Sequence, residues 1–170
     1  MTQHMTQHET IGLNFEVKMR TTLTLSDGAR KSVGHAMMVE AFNFGQAERY
    51  ARQACAVLWS DEASPFATSI RITSRKEYLS HDEAEAGAII NADGHDIHPG
   101  TWYQTIVEWR ETDPDTAHER RQRKAWLVST AQGTDSVSEL IAAHLHELGI
   151  TEYKLRRIEL TDIEAVVTLK

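Results

Sequence analysis

Residues 39–59 read VEAFNFGQAERYARQACAVLW, and the fold follows from how that stretch is parsed. Ala47, Tyr50, Ala51, Ala54, Cys55 and Leu58 recur at steps of three and four, which places them on one stripe of an amphipathic helix. Asn43-Phe44-Gly45-Gln46 has the form of a capping box, in which the Asn side chain accepts an orphan amide and Gln46 reaches back. The helix is therefore expected to run to about Trp59, with the end of a strand before it. Cys55 lies on the apolar stripe, where a free thiol behaves as a small hydrophobe.

Ninety positions on, Val137, Leu140, Ile141, His144, Leu145 and Leu148 repeat the stripe. Ser136 with Glu139 resembles a second capping box, and Gly149 stands where a left-handed C-cap belongs. The strands repeat as well. Leu13, Phe15, Val17, Met19, Leu23 and Leu25 alternate with polar residues, and Ser26-Asp27-Gly28 turns the chain towards a return strand holding Val33, His35, Met37 and Val39. Phe66 to Ile72 reads as a third strand. In the second half, Tyr103, Thr105, Val107 and Trp109 form the first strand, residues 111–120 hold the turn, and Lys124 to Thr130 return. Residues 153–160 and 163–169 close the chain as either two short strands or one long bent one.

This order, strand, hairpin, strand, capped helix, strand, predicts an α+β fold of two duplicated ββαβ units. Antiparallel sheets would carry the helices packed on one face, so that each apolar stripe is covered. The boundaries are a disordered leader over residues 1–12 containing the polar repeat MTQHMTQH, a first unit over 13–78, a connector over 79–100 and a second unit over 101–170, all in one domain. Ser80 with Glu83 suggests one or two helical turns in the connector.

At 170 residues the chain buries roughly 70% of its unfolded surface, enough to dispense with disulfides or a structural metal. The formal charge of −7 argues against a general nucleic-acid coat. No apolar run approaches the roughly 20 residues of a membrane span, the start lacks a signal pattern, and Cys55 is alone. A cytoplasmic protein is expected.

FEVKMR at residues 15–20, MMVEAFNFGQAERYA at 37–51 and WYQTIVEW at 102–109 resemble a family of small proteins from Bacteroidetes and their phages. That family is catalogued as a domain of unknown function. Its pattern of valine-aspartate-alanine, phenylalanine and alanine-glutamate is met here by Val39-Glu40-Ala41, Phe44 and Ala47-Glu48. The resemblance covers most of residues 13–165 and brings no catalytic residues. It implies a phage or mobile-element accessory protein.

Two constellations carry chemistry. Arg120, Arg121, Arg123 and Lys124, joined by Arg156 if the strands of the second unit pair, offer cations to a phosphate or other anion. Trp102, Tyr103, Trp109 and Trp126 would add stacking surface for a nucleic acid, or else fill the core. In the connector, His95, Asp96 and His98, with His81, Asp82, Glu83 and Glu85 upstream, are ligand types for a divalent metal, the one cofactor these residues suggest. His35 reads as a partly buried strand histidine. The expected function is non-enzymatic recognition of a partner protein or anionic small molecule. Nucleic-acid binding and a metal-dependent enzyme are the alternatives, and open sheet edges make a homodimer a further expectation.

Overall fold

A computed structural model describes residues 12–74, 77–81, 87–130 and 133–169, with residues 5–9 and 81 as backbone alone. Its strands are β1 Met5–Glu9, β2 Leu13–Thr24, β3 Arg30–Ala41, β4 Glu62–Ile72, β5 Glu77–His81, β6 Ile89–Ile90, β7 Asp96–Pro99, β8 Trp102–Thr112, β9 Glu119–Ser129, β10 Tyr153–Leu160 and β11 Ile163–Thr168. Among the described residues two helices stand with them, α1 Phe44–Leu58 and α2 Thr134–Glu147. The class is α+β, with sheets that are mostly antiparallel.

Six strands form one sheet in the order β4-β2-β3-β11-β7-β6, and five form the other in the order β1-β5-β9-β8-β10. The long hairpins β2–β3 and β8–β9 are antiparallel. Among the described strands the parallel pairings are β11 on β3 and β5 on β9. Each therefore brings a strand from one half of the chain into the sheet built mainly by the other half. Residues 5–9, expected to be part of a disordered leader, instead pair with β5 as an edge strand. The connector likewise departs from expectation: Ser80, expected to cap a helical turn, is a buried strand residue, and β6 and β7 extend the six-stranded sheet. Glu83, its expected capping partner, lies outside the described residues.

Alternation sends Phe15, Val17, Met37 and Val39 to one face of the six-stranded sheet, where α1 covers them with Ala47, Tyr50, Ala51, Ala54 and Cys55. Val107, Trp109, Trp126 and Val128 face α2, which supplies Val137, Leu140, Ile141 and Leu145. The intervening residues point the other way: Met38, Ile163 and Val166 of one sheet meet Tyr78, Trp102 and Leu127 of the other. The sheets thus pack back to back and each helix lies on its own outer face. This corrects the expectation of both helices on one face. A strand with apolar residues at both parities, such as residues 36–39, has two faces to bury.

The α1 cap forms as its residues dictate. Asn43 Oδ1 accepts from the Gln46 amide at 2.8 Å, and Gln46 reaches back one residue further than expected, to the Phe42 amide at 3.0 Å. The second capping box does not form. Helix α2 starts earlier, at Thr134 behind Gly133, and the Ser136 hydroxyl is buried and accepts from Thr130. At the other end Gly149 takes φ +77° and donates to His146, while the Ile150 amide bonds Leu145 at 2.8 Å. This Schellman turn folds Ile150 onto the core and leaves Leu148, expected on the buried stripe, 53% exposed. Strand β4 begins four residues earlier than expected. Two register shifts along it exchange its faces, so Ala67 and Ile70 pack against the α1 core while Phe66 is exposed.

Candidate functional site

The β8–β9 hairpin extends beyond the sheet-to-sheet contact. There the face that points inward elsewhere becomes a charged surface. Register pairs Glu108 with Arg123 and Arg110 with Arg121, while β10 sets Lys154 opposite Glu108. Directly paired residues share a face, so these side chains project together. A bulge in β10 adds to them. The register shifts between Leu155 and Arg157, making Arg156 the additional residue. Leu155 and Ile158, three apart, consequently both pack on the α2 core, and Arg156 and Arg157 both turn to the charged face.

Glu108 is the hub. Its Oε2 accepts from Arg121 Nη2 and from Arg156 Nε, each at 2.8 Å, and Arg123 Nε lies 4.0 Å from Oε1. Its side chain is 11% exposed, against 68%, 64% and 47% for Arg121, Arg123 and Arg156. The hydrogen bonds from Arg121 and then Arg156 hold its carboxyl down at about 2, well below the usual carboxylate range. Glu108 therefore stays ionised and fixes guanidinium groups whose outer edges face solvent. A groove of about 670 Å³ runs beside this cluster, lined by Arg110, Arg120, Lys154 and Tyr153 among others. Arg110 also bonds Glu119 at 3.1 Å.

Of the anion-binding residues named from sequence, Arg121, Arg123 and Arg156 come together and Arg120 lines the same groove. Lys124 does not join them. It pairs with Val107 on the α2 side, bonds Glu77 at 3.4 Å and sits over the Trp126 ring. Sequence reasoning did not single out Glu108. Its place opposite Arg123 was the available signal for its organising role.

The aromatic residues offer no stacking platform there: Trp102 and Trp126 are fully buried and Trp109 nearly so. The connector residues also diverge. His95 lies against Tyr50 of α1 at a ring separation of 3.8 Å, whereas His98 meets the Tyr78 hydroxyl at 3.2 Å between the sheets. Asp96 and His98 share strand parity, and the two imidazoles lie on opposite faces. Burial pushes the His95 pKa down. No three His, Cys, Asp or Glu side chains among the described residues are grouped as a metal site requires. Asp82, Glu83 and Glu85 lie outside the described residues, as does the side chain of His81.

A buried polar centre was missed. His35 Nε2 meets Glu62 at 2.7 Å, its Nδ1 meets Glu164 at 2.5 Å, and its ring stacks on Trp59 at 3.6 Å. Thr21 donates to the same Glu62 oxygen at 3.0 Å. Both ring nitrogens are engaged, so neither is presented to a substrate. The cluster ties β3, β4 and β11 together. Its members are far apart in sequence, so spacing carried no signal.

No curated protein and no solved structure matches this chain. The family model described as "Domain of unknown function (DUF4494)" matches residues 14–169, which span both hairpins, both helices and the Glu108 cluster. The chain belongs to the DUF4494 family.

Proposed function

We propose that this is a non-enzymatic accessory protein that binds an anionic ligand on the charged face of the β8–β9–β10 sheet. The observation that carries the reading is the gathering of Arg121, Arg123 and Arg156 around the single carboxylate of Glu108, three cations to one anion. The cluster keeps a surplus of two positive charges in a chain whose formal charge is −7. Guanidinium groups held in place lose less freedom when an oxyanion docks, and their planar forks suit phosphate or carboxylate oxygens. The bulge supports the same reading, because it turns an additional arginine to this face without removing Leu155 or Ile158 from the core. With the tryptophans buried, the ligand is recognised through its charge and not by base stacking.

An accessory role in phage or mobile elements, implied by the family resemblance, belongs to this proposal. So does the origin of the scaffold as a doubled ββαβ unit. The orders β4-β2-β3-β11 and β10-β8-β9-β5 correspond term by term, with a helix between the equivalent strands. That correspondence is what supports duplication.

Calorimetric titration with inorganic tripolyphosphate tests the binding. Affinity is expected to fall as salt rises from roughly 50 to 200 mM, and Arg121→Ala with Arg156→Ala to weaken it by about tenfold or more. Arg52→Ala, which removes an exposed pair with Glu48 on α1, serves as the control. Absence of binding at low salt, or equal affinity in the double variant, defeats the proposal.

A further inference from the structure

The inward face of the five-stranded sheet continues from Glu108 to Ile106 and Gln104, and there a second cavity opens between the two sheets. It has a volume of about 440 Å³ and includes Glu16, Arg71, Gln104, Ile106, Arg157 and Glu159 in its lining. Its charges differ in kind from those of the hairpin. Each sheet brings one ion pair, Glu16 with Arg71 at 3.4 Å and Arg157 with Glu159 at 3.7 Å. Among the described residues the cleft thus holds two cations and two anions, and it offers both signs within one small space.

Gln104 supplies a second observation. Only 9% exposed, it donates through Nε2 to the carbonyls of Thr105 and Trp126 at 3.1 and 3.3 Å. Those bonds fix the amide orientation, because a flipped amide would set its oxygen against two carbonyl oxygens. Oε1 is left without a donor among the described groups. A buried acceptor in that state is unfavourable, and an N–H group from a ligand relieves it. The arginines are free to re-pair, since Arg71 and Arg157 are 67% and 58% exposed and such long, exposed pairs hold weakly.

We propose that this cleft binds a small zwitterion of the free α-amino-acid class. The ammonium takes a cleft carboxylate and, once Gln104 shifts to uncover it, Gln104 Oε1; the ligand carboxylate takes Arg157 and Arg71, and the ligand side chain lies against Ile106. The proposal is independent of anion binding at the hairpin.

The test is ligand-observed NMR on the full chain with free α-amino acids, followed by the N-acetyl and carboxamide derivatives of each that binds. At least one free amino acid is expected to show saturable binding. Blocking either end should abolish it, and Arg157→Gln and Gln104→Leu should each weaken it roughly tenfold. A melting curve verifies that each variant is folded, and Arg157→Gln, at an exposed position, keeps the test decisive if Gln104→Leu is not. The proposal is overturned if no free amino acid saturates, if an N-acetyl derivative binds equally well, or if a folded Gln104→Leu variant binds as the parent does, which would leave Oε1 with water alone.

Discussion

Cutting the chain at an engineered protease site between β5 and β6 should produce two pieces that do not part. The first piece keeps β2, β3 and β4 but lacks β11, which pairs with β3; the second keeps β8, β9 and β10 but lacks β5, which pairs with β9. In the intact fold Ile163, Val166 and Val167 of β11 are 2%, 0% and 0% exposed. At about 1.5–3 kcal/mol for each such side chain, their burial contributes roughly 4–9 kcal/mol. That is an upper bound, because an unfolded chain already covers part of its apolar surface. Tyr78 and Leu79 of β5, also buried, make a comparable contribution to the other sheet. Whole domains are stable by only about 5–15 kcal/mol, so neither piece should fold alone. After cleavage the pieces are expected to co-elute on a native sizing column and separate only in denaturant. Once separated, each should lack a cooperative melt. Pieces that part under native conditions and each melt cooperatively would refute the reasoning.

Leu140 is 1% exposed in the α2 core, so Leu140→Ala should lower stability by about 2–5 kcal/mol in urea titration, whereas Leu148→Ala should be nearly neutral. Equal costs would mean that the Schellman turn is misplaced. Cys55 is 2% exposed and its thiol is pushed up to about 11, first by burial and then by Glu62 and Glu164. It should resist a thiol reagent at pH 8 until the protein unfolds, and rapid native labelling would contradict its placement. The Glu108 carboxyl is depressed from 4.5 to about 2, so its stabilisation is present above pH 4.5 and is lost as pH falls through 2. Glu108→Gln should therefore lose less melting temperature than the parent across that window. Parallel curves would show that the arginines do not hold the carboxylate.

Local structure was legible in the sequence where a single element determined the outcome. The α1 stripe and its Asn43–Gln46 cap, the β2–β3 alternation and the Gly149 turn depend on neighbours within a few residues. What was not legible depended on distant partners. Strand periodicity does not say which sheet a strand joins, so the exchange of β5 and β11 left no local mark. The apolar residues at both parities in Met37, Met38 and Val39 did signal two covered faces, which excludes helices on one side alone. Phe66 to Ile72 was legible as a strand but its core-facing residues were not, because register shifts change parity without changing composition. At the candidate site the basic run at 120–124 was visible, but alternation divides it, sending Arg121 and Arg123 to one face and Lys124 to the other. The bulge that recruits Arg156 became apparent only from strand pairing. The metal reading set His95 beside His98, whereas strand alternation sends the two rings to opposite faces of the sheet.

The most direct test of the central claim is the arginine Nε–H spectrum of labelled protein during tripolyphosphate titration. Arg121 and Arg156 should shift together and saturate at one concentration, while Arg52 on α1 stays still. Uniform small shifts across all arginines, or saturation at Arg52 with none at Arg121 and Arg156, would contradict the account.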